Sequence, residues 1–385
     1  MSTSLDHAQN ITNTIISSYN NKTTLSIKLS SLLFRVTPQS TFNIHTMAPK
    51  SLELTPDDYR FFRSQITKPA PLPKDISLSE STIIITGANT GIGYGAAEQF
   101  LAMNLKRLII AVRSISKGEA AAASLRAKYP SAEILVWQVD MNTYKSVQDF
   151  AKKCETLDRI DLVILNAGIQ MTKFELSPEG HEVSFQVNYL STVLLATLLL
   201  PTLKQKAPAG QPGHLTIVNS GTALAAEFPN AKDENVMEFF DNEAFFSSGV
   251  NALPSYSRTK ALAHFWIVKL VERVKAEDVI VNLVDPGMVG GTSLTRGQGN
   301  IIIQYIFVLV NFLIARSIKN GASTFVQAGV VMGKETHGSY IMDWRIHHYT
   351  KFLYTQEGKA FADKVWYETN KLLSFADIDG ILNSL

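Results

Sequence analysis

From Ser81 onward, short runs of consecutive apolar residues alternate with longer segments whose apolar positions recur at helical spacing. Ser81–Thr86, Arg107–Val112, Ile134–Val139, Leu162–Leu165, Leu215–Val218 and Val279–Val284 are β-branched or leucine-rich runs of strand length. Between them, Ile92–Met103, Ser116–Tyr129, Tyr144–Cys154, Val183–Leu200 and Tyr256–Val274 carry helical periodicity. Strands without polar alternation are covered on both faces, which calls for a parallel sheet with helices on either side. The pattern predicts an α/β fold: one doubly wound parallel sheet over residues 80–345, after an entry segment (51–79) and before a C-terminal extension (346–385). No internal repeat interrupts it.

Residues 1–50 stand apart. The first 46 are rich in Ser, Thr and Asn, with Asp6 as the sole acid and Lys22, Lys28 and Arg35 as fixed cations. The expectation is a segment outside the folded domain, either a disordered extension or sequence upstream of a start at Met47. An organellar import signal is the alternative to a cytoplasmic location. The run Ile301–Ala315 is the one membrane candidate. It is interrupted by Gln304 and Asn311 and falls short of the roughly 20 residues a span needs. A buried helix on the substrate side is expected there, with peripheral membrane contact as the alternative.

Composition narrows the function classes. Of 385 residues, 45% are hydrophobic, enough for a large core, and 36 basic against 34 acidic side chains leave a formal charge of +2. Such a balance offers no electrostatic footprint for nucleic acid. A single cysteine, Cys154, excludes an internal disulfide and a cysteine metal cluster, and is expected to be a packing residue. His337, Asp343, His347 and His348 could be drawn as a metal set, but they lack helical ligand spacing, so a packed extension is expected.

Chemistry enters at Gly87-Ala88-Asn89-Thr90-Gly91-Ile92-Gly93, between the first strand and first helix. Glycines permit a tight turn and close approach of a pyrophosphate, while free helix N–H groups favour its negative charge. That context gives the fold a Rossmann-type, dinucleotide-binding reading. An acid at the end of the second strand would accept from a ribose 2′-hydroxyl; here Val112 is followed by Arg113, whose guanidinium suits a 2′-phosphate. NADP(H) is therefore expected over NAD(H).

Further along come Asp140 after the third strand, Asn166-Ala167-Gly168 at the end of the fourth, Asn188 in a helix and Ser220 after the fifth strand. Tyr256 and Lys260 follow on the next helix, then Pro286-Gly287 with Val289 and Thr292. With this order of motifs the chain resembles the short-chain dehydrogenase/reductase family over residues 80–345. In detail it is similar to fungal and retinol-dehydrogenase-like members, through Ala111-Val112-Arg113 and Pro286-Gly287. The resemblance implies that Ser220, Tyr256, Lys260 and Asn188 are catalytic. It also implies that Gly87, Asn89, Thr90, Gly91, Ile92, Gly93, Arg113, Asp140, Asn166, Ala167, Gly168, Tyr256, Lys260, Pro286, Gly287, Val289 and Thr292 hold the cofactor. Asp140 would meet the adenine, or cap the following helix, or both. Asn188 would hold a water in a proton relay to Lys260. A homo-oligomer is compatible with the family.

The residues themselves agree. Tyr256 and Lys260 are four apart on a helix and share a face. An ammonium beside a phenol lowers its pKa, which would fit Tyr256 as acid in reduction and base in oxidation. Ser220 would donate to the substrate oxygen, although a shift of two would put Thr222 in that place. The long segment 221–253 carries Phe228, Phe239, Phe240, Phe245 and Phe246, expected either as pocket wall or as loop anchors. The expected activity is interconversion of a carbonyl group and an alcohol on an apolar small molecule, and the resemblance to fungal members implies a place in secondary metabolism. The alternatives are a catalytically silent nucleotide-binding scaffold of the same fold, or an epimerase or dehydratase.

Overall fold

The computed structural model describes residues 60–69, 71, 75–247, 253–291, 295–296 and 315–385. Residues 1–50, Thr292 and all of the 301–315 run except Ala315 lie outside them.

The elements, in chain order, are α1 (Arg60–Ile66), β1 (Thr82–Thr86), α2 (Gly91–Ala102), β2 (Arg107–Val112), α3 (Ile115–Lys128), β3 (Glu133–Gln138), α4 (Tyr144–Cys154) and β4 (Leu162–Leu165). The short β5 (Gln170–Met171), α5 (Val183–Lys206), β6 (Gly213–Val218), α6 (Leu253–Leu270), β7 (Val279–Val284) and the short β8 (Thr295–Arg296) follow. Then come α7 (Ile318–Val326), β9 (Ser339–Met342), β10 (Arg345–His347), α8 (Gln356–Leu372) and α9 (Ile378–Asn383). The main sheet runs β10-β9-β7-β6-β4-β1-β2-β3, parallel throughout except for β10. β5 and β8 pair separately.

The strand runs are apolar on both sides because both sides are covered. Ile84, Ile109, Val163, Leu215 and Val281 stand in register across the sheet and face α4, α5, α6 and α8. Their neighbours Ile83, Ile85, Leu108, Ile110, Leu162 and Ile164 face α2, α3 and α7. Cys154 is buried in the first of these cores, which pushes its thiol up to about 12, as befits a packing residue. Strand order reverses at β1, between β4 and β2. In such sheets ligands bind where the order reverses, beyond the carboxyl ends of the strands. Here the turn after β1 faces the turn after β4.

Two features depart from the pattern. α5 passes Pro201 and continues to Lys206, because the helix is buried on nearly all sides and packing outweighs the proline's lost bond. The chain after β7 returns to the sheet as β9 and β10, joined by Asp343 and Trp344, both in the left-handed region (φ 53° and 60°). Such a pair is what a two-residue hairpin matching sheet twist needs, although an aromatic residue seldom adopts it.

Candidate active site

A cleft of about 2050 Å³ lies over the carboxyl ends of β1, β2, β4, β6 and β7. That exceeds the roughly 300–1,000 Å³ of a one-ligand pocket and suits a dinucleotide together with a substrate. Its floor is the glycine turn. Gly87 (φ 68°) and Gly91 (φ 57°) take backbone conformations that side chains disfavour. A Cβ at Gly93 would sit 2.6 Å from Asn166 Nδ2 and 2.9 Å from the Gly87 oxygen. Asn166 locks the facing turn: its N–H and that of Ala167 each donate to Thr86 Oγ1 at 2.9 Å, and its Nδ2 donates to the Thr86 carbonyl at 2.8 Å. The Thr90 hydroxyl makes no capping bond, no acid occupies the first turn of α2, and Gly91, Ile92 and Gly93 line the cleft. A pyrophosphate fits this donor set and cradle.

Val112 is buried at the end of β2, whereas Arg113 is exposed, lines the cleft and forms no ion pair among the described residues. Asp140 is also on the wall. Its Oδ1 accepts from the Asn142 N–H at 3.0 Å, and the N-cap of α4 is Thr143, so the expected capping role is corrected. Asn89, Ala167, Gly168, Pro286, Gly287 and Val289 complete that lining.

Tyr256 and Lys260 of α6 and Ser220 after β6 line the same cleft, whereas Asn188 of α5 is buried behind Gly168 and does not line it. Asn188 sits in a π-turn (Gln186–Leu190) within α5. Its Oδ1 accepts from the Ile169 N–H at 2.9 Å, and its Nδ2 donates to the Ile169 carbonyl at 2.8 Å and to Thr259 Oγ1 at 3.1 Å. Asn188 and Lys260 flank Gly168, where a Cβ would lie 3.2 Å from Asn188 Oδ1 and 3.3 Å from Lys260 Nζ. Lys260 Nζ donates to the Val218 carbonyl at 2.9 Å, and burial pushes its ammonium down to about 8.

Ser220 Oγ lies 3.0 Å from Thr222 Oγ1 and accepts from the Thr222 N–H at 3.3 Å. Ser220 is close enough to the Tyr256 phenol to lower its pKa, so Ser220 is the hydroxyl beside the tyrosine and Thr222 backs it. Burial drives the phenol well above its ordinary range; the Ser220 hydroxyl offsets this in part, and the Asp285 carboxylate adds to it. The expected lowering by Lys260 is thereby corrected: the ammonium is committed to Val218, and desolvation of the phenol dominates.

Three contributors were not anticipated. Asn219 ties β6 to α6, its Nδ2 donating to the Lys260 carbonyl at 2.9 Å while its Oδ1 accepts the Ser220 N–H at 2.7 Å. Asp285 is a buried acid on the cleft wall, pushed up to about 6 by burial against the pull of the Gly287 N–H and the Arg316 guanidinium. An acid ending an otherwise apolar strand was its signal. Arg316, also on the wall, had none.

The phenylalanines of the inserted segment are anchors and are absent from the cleft lining. Phe228 packs on Phe265, Phe352 and Phe361, Phe240 stacks on Phe185, Phe239 on Phe245, and Phe246 meets Phe174 edge-on. Apolar walls come instead from residues such as Ile169, Met171, Val187, Leu224 and Leu253. Glu368 of α8 pins the segment, accepting the N–H groups of Val236 (2.9 Å) and Met237 (2.8 Å). Glu368→Ala strands two buried donors and is expected to cost about 2–4 kcal/mol by chemical denaturation, with a raised KM for substrate. An unchanged midpoint would show that the pin is dispensable. No group of His, Cys, Asp or Glu among the described residues could hold a metal, and Asp343 is paired with Arg316.

A family model described as short chain dehydrogenase matches residues 81–231. A short chain dehydrogenase/reductase of Annulohypoxylon moriforme is 46% identical over 344 residues, 88% of this chain and 97% of that one. A short chain dehydrogenase of Hypocrea virens is 41% identical over 326 residues, 84% of this chain and 94% of the other. In fold, the chain is similar to a 3-oxoacyl (acyl-carrier-protein) reductase of Agrobacterium tumefaciens solved with NADP bound. That likeness has a TM-score of 0.52 at 16% identity, covering 69% of this chain and 93% of that one.

Proposed function

The chain belongs to the short-chain dehydrogenase/reductase family, and from that premise we propose that it is an NADP(H)-dependent enzyme interconverting a ketone or aldehyde and an alcohol on an apolar small molecule. The observation that carries the reading is the convergence of Tyr256, Ser220 and Lys260 beside apolar walls in a cleft whose floor is a glycine cradle. A bound nicotinamide dinucleotide supplies the hydride chemistry. The residues that would hold it are the Gly87–Gly93 turn, Arg113, Asp140, Asn166–Gly168, Lys260 and the Pro286–Val289 turn.

The chain's own groups then do the rest. Ser220, steadied by Thr222 and Asn219, donates to the substrate oxygen. Tyr256, a phenol kept protonated by its burial, gives its proton to that oxygen in reduction and takes it back in oxidation. Lys260, facing Val218 and close to Asn188 across Gly168, returns the proton from solvent through water held at Asn188. Ile169, Met171, Val187, Leu224 and Leu253 favour an apolar substrate and exclude water. A screen of lipophilic ketones, aldehydes and secondary alcohols at the NADPH absorbance band tests the activity; no turnover across all three classes would sink it.

Cofactor choice rests on Arg113. Arg113→Asp replaces a phosphate partner with a charge that repels the 2′-phosphate, and is expected to move the NADPH-to-NADH ratio of kcat/KM by roughly 100-fold or more toward NADH. An unchanged ratio would remove Arg113 from the assignment.

A further inference from the structure

The entry helix α1 lies against the cleft, though no motif assigns it a role. Ser64 is 1% exposed, and its carbonyl and hydroxyl accept from Arg316 Nη2 at 2.7 and 3.2 Å. The same guanidinium is ion-paired to Asp343 and donates through Nη1 to the Pro286 carbonyl at 3.1 Å; its plane lies over the Trp344 ring, 4.6 Å from the centroid. Ser64 Oγ closes the cluster by donating to Asp343 at 2.7 Å. Arg316 thus joins α1, the Pro286–Gly287 turn and the strained tip of the β9–β10 hairpin. Gly287 must be glycine for this, since a Cβ there would fall 2.8 Å from Arg316 Nη1.

This clamp fixes the neighbour of Ser64, Gln65. Gln65 is half-buried and lines the cleft, and its Oε1 is fully buried without a hydrogen-bond partner. A buried amide oxygen left unpaired costs free energy that a ligand donor would relieve. Its place along the cleft follows from a chain of contacts. Ser64 meets Arg316, Arg316 meets Pro286, and Pro286 follows Asp285, whose Oδ2 would be 3.1 Å from a Cβ at Gly221, beside Ser220. Gln65 therefore sits toward the Tyr256 end, away from Arg113.

We propose that Gln65 is a cofactor-binding residue, its carboxamide bonding the nicotinamide half of the bound dinucleotide, with the Ser64–Arg316–Asp343 clamp holding it in place. The proposal rests on the cofactor reading above. Its test is isothermal titration of the full chain with two ligands, NADP⁺ and 2′-phospho-ADP-ribose, which lacks the nicotinamide. Gln65→Ala is expected to weaken NADP⁺ binding roughly three- to tenfold, with the fragment's affinity unchanged and the ligand-free melting temperature no lower than that of the wild type. Equal affinity of variant and wild type for NADP⁺ would overturn the proposal, and equal weakening for both ligands would overturn the nicotinamide-end assignment. If the wild-type chain bound neither ligand, the cofactor reading itself would fall, and this proposal with it.

Discussion

Tyr256→Phe is expected to lower kcat by roughly two to four orders of magnitude, the usual contribution of one positioned proton donor. The substitution removes one hydroxyl from a buried ring and leaves the ring's packing in α6 intact. What is lost is the acidic hydroxyl beside Ser220. Because the Tyr256 environment raises the phenol's pKa, the group is protonated over the whole neutral range, so it starts each reduction ready to donate. Binding should survive, since the glycine cradle, Arg113 and Lys260 are untouched. Stopped-flow measurement of NADPH oxidation with an active carbonyl compound, paired with titration of NADP⁺, separates the two effects. A variant that turns over at the wild-type rate would show that the proton comes from elsewhere; Thr222, through Ser220, would then be the group to examine.

Much of this arrangement is legible in the sequence. Runs such as Ile83-Ile84-Ile85 have no polar face, and the structure covers both of their sides with helices. The helical spacing of Tyr256 and Lys260 placed them on one face, and the glycines after β1 and the position of Arg113 marked the nucleotide end. What stayed hidden depends on contacts far apart in sequence. Arg316 reads as an arginine at the end of an apolar run; only the fold sets it between Ser64, Pro286 and Asp343. The π-turn at Asn188 has no local signature in Gln-Val-Asn-Tyr-Leu, since it comes from bonds the side chain makes to Ile169 and Thr259. The phenylalanines of 221–245 were ambiguous because an aromatic cluster looks the same whether it faces ligand or core. Their packing decides it: Phe228 sits on Phe265 of α6 and Phe361 of α8, and Phe240 on Phe185 of α5.

Lys260→Met should abolish most activity and, in the ligand-free protein, raise stability. Lys260 is a wholly buried ammonium with a carbonyl, not a carboxylate, as its partner at 2.9 Å. Its folded pKa of about 8 lies below its ordinary 10.5, so the folded state binds the proton less tightly than the unfolded chain. The sign follows: folding carries the full cost of the buried charge below pH 8. That cost is relieved as pH rises from 8 to 10.5 and is absent above it. Methionine fills similar volume without charge, at the expense of leaving the Val218 carbonyl without this donor. A net gain of about 1 kcal/mol or more at pH 7 is therefore expected, shrinking steadily above pH 8. Asp285 titrates in a separate window. Its pKa is raised from 3.8 to about 6, so its contribution to stability is full below 3.8 and lost as pH rises through 6. Because it is present in both proteins, the difference between them isolates Lys260. Denaturant midpoints for wild type and variant from pH 6.5 to 10.5 would measure that difference. A variant less stable than wild type at pH 7, or a gap that widens with pH, would mean that the amine is already neutral or better solvated than its burial implies. Activity adds the counterpart: a destabilising lysine is kept at this position because proton return through Asn188 and Lys260 needs it, and kcat should fall by roughly 100-fold or more.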